Sequence, residues 1–422
     1  MTRASLPVVL TVSSVALCLL LAAPLGPSAF ARASAGATLA PGQTRALWVT
    51  RTTLSSPDAI RQMVRAAEAG GFNTLLVQVR GRGDGYFKGT LEPRASELAA
   101  KPDFDPLQTT LELAHAAGMK VHAWVAVNLV SSAASLPASR DHVIYRAPEW
   151  LMVPRELAAE MKKIDLRSPA YIGRLARWTR ANADEVEGLY TSPLHPAAQA
   201  HTAAVIGEIA RNYAIDGVHL DYVRYPSENF DYSAAALEQF KAAIVPALTG
   251  PERSEAAARE RLDPIAYPNL YRERWNDFRR ERLTALVTRI RAAVKAARPA
   301  ALVSAAVVPD AQRALDDRLQ DWRAWLDLSL VDVLCPMAYT TDAAVFQQQI
   351  AAAIDYAGPR PVWAGIGAYR LSGAQTLQHI AAARKMGSAG IILFSYDALI
   401  APPNSAVTLR ELGRAAFGAG SH

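Results

Sequence analysis

An α/β chain closed into a (β/α)8 TIM barrel, with long insertions after strands three and four, is the fold this sequence predicts. Three observations carry the expectation. Eight short apolar segments recur along the chain, and each is followed by a helical stretch. Strands that alternate with helices pair in parallel through right-handed crossovers. No Gly-x-Gly-x-x-Gly follows the first segment, which removes the usual reason to prefer an open doubly wound sheet. The extra length is concentrated after the third and fourth segments, on the carboxyl side where barrels carry their sites. The chain has 422 residues and is 51% hydrophobic, enough for a core of this kind together with both insertions.

Residues 1–31 stand apart from the fold. Arg3 precedes an apolar run over 6–23, and Ala29-Phe30-Ala31 supplies a small-x-small exit. A charged start, an apolar centre and such an exit form a secretory signal peptide. The run is short for a spanning helix and meets Pro24 and Pro27, which favours cleavage over anchoring. Removing Arg3 and no acid takes the formal net charge from +6 to +5. Removing Cys18 leaves Cys335 alone, so the mature chain has no internal disulfide. Residues 32–43 read as a flexible tether and 44–418 as the barrel domain. The basic excess is modest and spread out. It suits an acidic polymer such as cell-wall glycan and gives no reason to expect nucleic acid. Membrane contact is expected only through the export signal, and the sequence does not fix the oligomeric state.

Strand one is 45–50. Ser56 and Pro57 then open a helix as N-cap and first residue, and Gly70-Gly71 closes it. Strand two, 73–80, places Gln78 and Arg80 on one face. A Gly-rich polar loop over 81–102 precedes a helix over 105–117 that Gly118 stops. Strand three, 120–128, puts His122, Trp124 and Asn128 on a common face. The first insertion carries a helical piece near 170–181 and the segment 188–193, and a helix over 196–213 returns to strand four. The second insertion, 227–268, is helical at 231–248 and loop-like at 251–268. The helix over 269–297 presents Trp275, Phe278, Leu283, Leu286 and Ile290 at helical spacing, a core stripe. Strand five, 302–309, leads to Asp310 and a helix with Trp322 and Trp325. Strand six is 332–339, with Thr341 capping the next helix. Strands seven and eight, 361–369 and 390–396, each lead into a further helix.

Strand four begins at Gly217 and runs through His219 and Asp221 to an Arg224-Tyr225-Pro226 exit. Alternation puts His219 and Asp221 on one face and Leu220 and Tyr222 on the other. A carboxylate at the carboxyl end of a barrel strand is placed for chemistry. Asp221 is therefore the leading catalytic candidate. Glycoside cleavage normally needs two carboxyl groups, one to protonate the leaving oxygen and one to act as nucleophile or base. Asp310 after strand five and Asp84 in the Gly-rich loop are the candidate partners. The other strand ends supply amides, guanidinium groups and aromatic rings, the residue types that bind hydroxyls and stack on pyranose faces. No Gly-x-Ser-x-Gly elbow and no His-Glu-x-x-His helix occurs. His122, His219 and Asp221 could together hold a metal, as in a barrel deacetylase or amidase. A non-catalytic glycan-binding barrel is the other alternative. Neither a metal nor a cofactor is expected on the main reading.

From about Arg45 to about Asp397 the chain resembles the bacterial glycosyl-hydrolase-like family 10, barrel proteins exported to the envelope. The shared motifs are Ala46-Leu47-Trp48-Val49-Thr50, Val77-Gln78-Val79-Arg80 with Gly83-Asp84, and His122-Ala123-Trp124. They continue with Asp216 to Asp221 followed by Arg224-Tyr225-Pro226, then 275–280 and Pro336-Met337-Ala338-Tyr339. The chain departs from the family at Tyr222, where many relatives carry a second Asp. The resemblance implies an exported glycosidase acting on a polysaccharide such as peptidoglycan strands, with Asp221 catalytic. Within that frame Arg80, His122, Asn128, His219 and Arg224 would hold hydroxyls or tune the carboxylate. Trp124, Tyr339 and Trp363 would form a stacking platform.

Overall fold

The computed structural model describes residues 42–401 and 406–418. The expected signal peptide and nearly all of the expected tether lie outside the described residues. Eight strands form one parallel sheet: β1 Thr44–Val49, β2 Thr74–Arg80, β3 Lys120–Ala126, β4 Gly217–Asp221, β5 Leu302–Val307, β6 Val333–Pro336, β7 Trp363–Ile366 and β8 Gly390–Phe394. The hydrogen-bonded order is β6-β5-β4-β3-β2-β1-β8-β7. Parallel bridges Leu334–Val362 and Met337–Gly365 join β6 to β7 and close the ring. The predicted barrel is the observed one.

Local chemistry sets the elements. The Ser56 side chain accepts from Ala59 N at the start of helix Pro57–Ala69, and Gly71 takes φ 73 just past its end. Two expectations shift. Asp342 rather than Thr341 caps helix Ala343–Ala357, because its carboxylate reaches two free N–H groups, those of Ala344 and Val345. The stretch expected to be loop-like contains helix Gly250–Glu260, which buries only Ala256 and is started by a reciprocal Thr249/Glu252 capping box.

Alternation along each strand separates two cores. Outward residues such as Leu47, Leu75, Val121 and Leu220 pack beneath the helices. Inward residues form a second cluster of Ala46, Trp48, Leu76, Trp124, Cys335, Trp363 and Ile392. The barrel interior is thus filled largely by rings. The insertion after β3 builds a small core of its own around Val130, Ile144, Leu151, Tyr171 and Leu175. The antiparallel bridges Leu129–Tyr190 and Leu151–Thr191 draw its strands of chain together, and Tyr232 N donating to Val153 O at 2.8 Å and Arg155 N to Asn229 O at 2.9 Å tie it to the loop after β4.

Candidate active site

The carboxyl end of β4 is where strand alternation breaks. Asp221 is the last strand residue, and Tyr222 takes φ 49, a left-handed conformation uncommon outside glycine. The turn sends the Tyr222 N–H back onto Asp221 Oδ1 at 2.7 Å. Arg224 Nη1 donates to the same oxygen at 3.2 Å, and Trp124 Nε1 donates to Oδ2 at 3.2 Å. The guanidinium of Arg224 also lies 4.4 Å over the Tyr222 ring. Asp221 remains 7% exposed, so its carboxylate is held firmly at the floor of the mouth. Trp124 acts here as a donor, with its ring packed edge-on against Phe394 and His219.

Tyr339 stands within electrostatic reach of Asp221, and burial first and that charge second push its hydroxyl pKa up. Its ring meets Phe394 at 5.5 Å and Tyr369 at 6.1 Å. Tyr369 is 53% exposed, so this aromatic cluster extends from beside Asp221 to the rim.

Glu187 is a second carboxylate at the mouth, and the motif reading did not find it. It precedes Gly188, where a Cβ would fall 1.9 Å from the carbonyl oxygen of Ser131. Only glycine permits that close passage, which brings the segment 187–190 against the start of the insertion. Tyr190 donates its hydroxyl to Glu187 Oε2 at 2.6 Å. The Tyr190 ring that carries this bond meets the Tyr222 ring at 6.2 Å, and Glu187 and Asp221 both act electrostatically on Tyr222 and Arg224.

Asp84 lies one step further out, in a cleft of about 660 Å³ beside the mouth. Burial raises its pKa, partly offset by Arg51 and by the Arg82 N–H. Arg82 donates its N–H to Asp84 Oδ1 at 3.1 Å and lies within electrostatic reach of Tyr222. Asp310 is exposed and caps helix Ala311–Asp317 by accepting from Arg313 N at 2.8 Å. The structure does not bring it into the group around Asp221.

Five of the expected binding residues are drawn into the scaffold. Arg80 is 1% exposed and clamps Glu92 with two bonds, at 2.7 and 2.6 Å, while its remaining nitrogen contacts the carbonyls of Ala126 and Val127. Burial opposes charge on Glu92, but Arg80 and His201 outweigh it and hold that pKa at about 2. His219 accepts from Trp48 Nε1 at 3.0 Å through Nε2 and shares its Nδ1 proton with Ser304 Oγ at 2.9 Å. Both of its nitrogens are therefore committed inside the barrel. His122 is fully buried and packs against Trp363 at 5.3 Å, with no partner on either nitrogen. Trp363 is itself only 4% exposed and sits where β7 pairs with the first residue of β8. Asn128 lies just beyond β3 and ties the insertion down by donating from Nδ2 to Thr191 O at 2.9 Å. Among the described residues, no group of three or more His, Cys, Asp or Glu side chains assembles in a metal-binding arrangement.

A closed parallel barrel whose mouth presents a clamped carboxylate, a second carboxylate and a run of aromatic rings is the architecture of a glycosidase-type protein. The profile of the family described as Glycosyl hydrolase-like 10 matches residues 43–372, and the chain belongs to this family. It is similar to glycosyl hydrolase YngK of Bacillus subtilis, with 23% identity over 290 residues, 64% of this chain and 46% of the relative. It is also similar to glycosyl hydrolase DigH of Escherichia coli, with 28% identity over 156 residues, 36% of this chain and 30% of the relative. The matched stretch thus spans less than half the length of either relative. Among solved structures, the glycoside hydrolase domain of PgaB (BpsB) from Bordetella bronchiseptica shares the fold. Its TM-score is 0.59 at 16% identity, covering 88% of this chain and 98% of that one. Alpha-L-fucosidase isoenzyme 2 from Paenibacillus thiaminolyticus matches with a TM-score of 0.59 at 18% identity, over 89% of this chain and 49% of that one.

Proposed function

We propose that the protein is an exported glycoside hydrolase that cleaves glycosidic bonds in a polysaccharide, with cell-wall glycan strands as the favoured substrate class. The observation that carries this reading is Asp221, fixed at the carboxyl end of β4 by Trp124, Arg224 and the Tyr222 N–H. Three donors aim its oxygens and leave it acting as an acceptor, the arrangement suited to a nucleophile or base facing an oxocarbenium-like centre. Glu187 serves as the proton donor to the leaving oxygen, since Tyr190 holds it beside the Tyr222 ring and within electrostatic reach of Arg224. The Tyr339–Phe394–Tyr369 rings receive the apolar face of the sugar. Asp84 is a second reading for the proton donor, because burial raises its pKa in the direction a general acid requires. Export rests on the charged, apolar and small-residue pattern over 1–31.

The test is product analysis by mass spectrometry after incubating purified wall glycan with the native protein and with Asp221→Asn, Glu187→Gln and Asp84→Asn. Asp221→Asn and one of the other two should each lower turnover by about 10²–10⁴-fold. Full activity in Asp221→Asn would overturn the assignment. Retained glycan binding without turnover by the native protein would favour a binding protein on the same barrel.

A further inference from the structure

The cleft beside the mouth holds a concentration of positive charge that the proposed hydrolysis does not use. It opens between the loops after β1 and β2 and the insertion after β3, and its volume of about 660 Å³ is in the range of a ligand site. Arg51, Arg82 and Arg94 line it, and Asp84 is the sole carboxylate among its lining residues. None of these three arginines takes part in the ion pairs formed among the described residues. Arg94 spends one nitrogen on the carbonyls of Lys101 and Phe104, at 3.2 and 2.8 Å, yet its Nη1 is buried without a partner. Arg82 Nε is likewise buried and unpartnered. Buried donors without acceptors are costly, and more so on charged groups. Burial first and the neighbouring Arg51 charge second press the Arg82 pKa down, a repulsion that an anion between the two would relieve.

The Arg82 backbone and the Arg51 side chain are also positioned. Ile144 N donates to His142 Nδ1 at 3.3 Å, so His142 Nε2 carries the proton and donates to the Arg82 carbonyl at 2.8 Å. A Cβ on Gly81 would fall 2.9 Å from Arg51 Cδ and Nη1, so the glycine lets that side chain lie against the backbone. Serines from the insertion, including Ser132 and Ser135, line the same cleft. A planar fork of donors beside hydroxyl groups matches a sugar ring that bears an oxyanion. Arg82 lies within electrostatic reach of Tyr222, whose N–H holds Asp221, so a ring seated in the cleft would neighbour one seated over that carboxylate.

We infer that this cleft is a subsite for a carboxylate-bearing sugar of the glycan, gripped by Arg51 and Arg82. The inference rests on the glycosidase reading for the neighbouring site, but binding tests it without turnover. Isothermal titration of the native protein with glucuronate, glucose, acetate and inorganic sulfate supplies the arms. Glucuronate should bind more tightly than glucose or either free ion. Arg82→Gln and Arg51→Gln should each weaken it on the order of tenfold or more, Arg82→Lys should retain part of the affinity, and the exposed, remote Asp310→Ala should leave it unchanged. Thermal melting of each variant separates lost binding from lost folding. Equal binding of glucuronate and glucose, or glucuronate affinity indifferent to Arg82→Gln in a folded variant, overturns the subsite. Acetate or sulfate binding as tightly as glucuronate overturns its assignment to a sugar. Hydrolysis of neutral and acidic glycans at equal kcat/KM would remove the subsite and leave the glycosidase. Arginine-dependent glucuronate binding with no hydrolysis of any glycan would do the reverse.

Discussion

Lowering the pH should destabilise this barrel through two histidines that never meet solvent, and replacing one of them with leucine should remove about half of that effect. Burial depresses the His122 pKa from 6.5 to about 4, and burial together with His122 depresses that of His219 to about 3. Above pH 6.5 neither the folded nor the unfolded chain protonates these rings, so stability is whole. As the pH falls below 6.5 the unfolded chain takes up protons that the folded chain refuses, and stability is lost until the folded pKa values are reached. At pH 4 each ring accounts for a gap of roughly 2.5 pH units, worth about 3 kcal/mol at ~1.4 kcal/mol per unit. The pair together costs about 6 kcal/mol, a large share of the ~5–15 kcal/mol that domains possess. His122 is the informative ring, because neither nitrogen has a partner and leucine forfeits no hydrogen bond. Urea unfolding followed by tryptophan fluorescence at pH 7 and pH 4 reads the outcome. His122→Leu should match or exceed native stability at pH 7 and lose about 3 kcal/mol less than native between the two pH values. Carboxylates such as Glu92 titrate in both proteins and cancel in the difference. An identical acid loss in the variant, or a deficit above about 2 kcal/mol at pH 7, would refute the reasoning. Abolished turnover in a His122→Leu protein of native stability would return the ring to the site.

Glu92→Gln leaves the fully buried Arg80 charge without its carboxylate, and chemical unfolding at pH 7 should show a loss of about 3–5 kcal/mol. Trp124→Phe keeps a ring but removes the donor to Asp221 Oδ2, so steady-state kinetics should show kcat down about 10–100-fold with KM little changed. Asp310→Ala should lower stability by about 1 kcal/mol through the lost cap and leave turnover intact. Tyr369→Ala removes an exposed rim ring, so KM for the glycan should rise several-fold while the melting temperature stays put.

The eight strands were legible because each is an apolar run bounded by a cap, a glycine or a proline, and Ser56, Gly70 and Gly71 show how local those signals are. Asp221 was legible because it is the polar end of such a run. Depth within the barrel was not. His122 and Trp124 alternate correctly onto the interior face, yet one lies in the packed floor and the other reaches the carboxylate. Stagger between neighbouring strands sets that depth, and Gly217 opposite His122 is a pairing between segments nearly a hundred residues apart. Arg80 looked like a binding residue because its partner, Glu92, comes from a loop with no periodic pattern. Glu187 escaped notice for the same reason: its position depends on Gly188 passing the Ser131 carbonyl, a tertiary contact. Helix Gly250–Glu260 lacked an apolar stripe, and its Thr249/Glu252 box was the available signal.

Burying two histidines beneath Asp221 has a consequence for the mouth. A charged imidazole in the floor would compete with Arg224 for Asp221 and move its oxygens. The Trp48 N–H prevents this at His219, because an indole can only donate and therefore holds Nε2 unprotonated. Ser304 takes the one remaining ring proton at Nδ1. The floor under Asp221 is thus neutral and aromatic at ordinary pH, and the charges that orient the carboxylate come from the mouth itself. The charge pattern of the mouth is then set by a few loop residues, Arg224 and Glu187 near Asp221 and Arg51 and Arg82 in the cleft beside it. Loops can change those residues without disturbing the barrel, whereas altering His219 or Trp48 would disturb both the packing and the carboxylate above them.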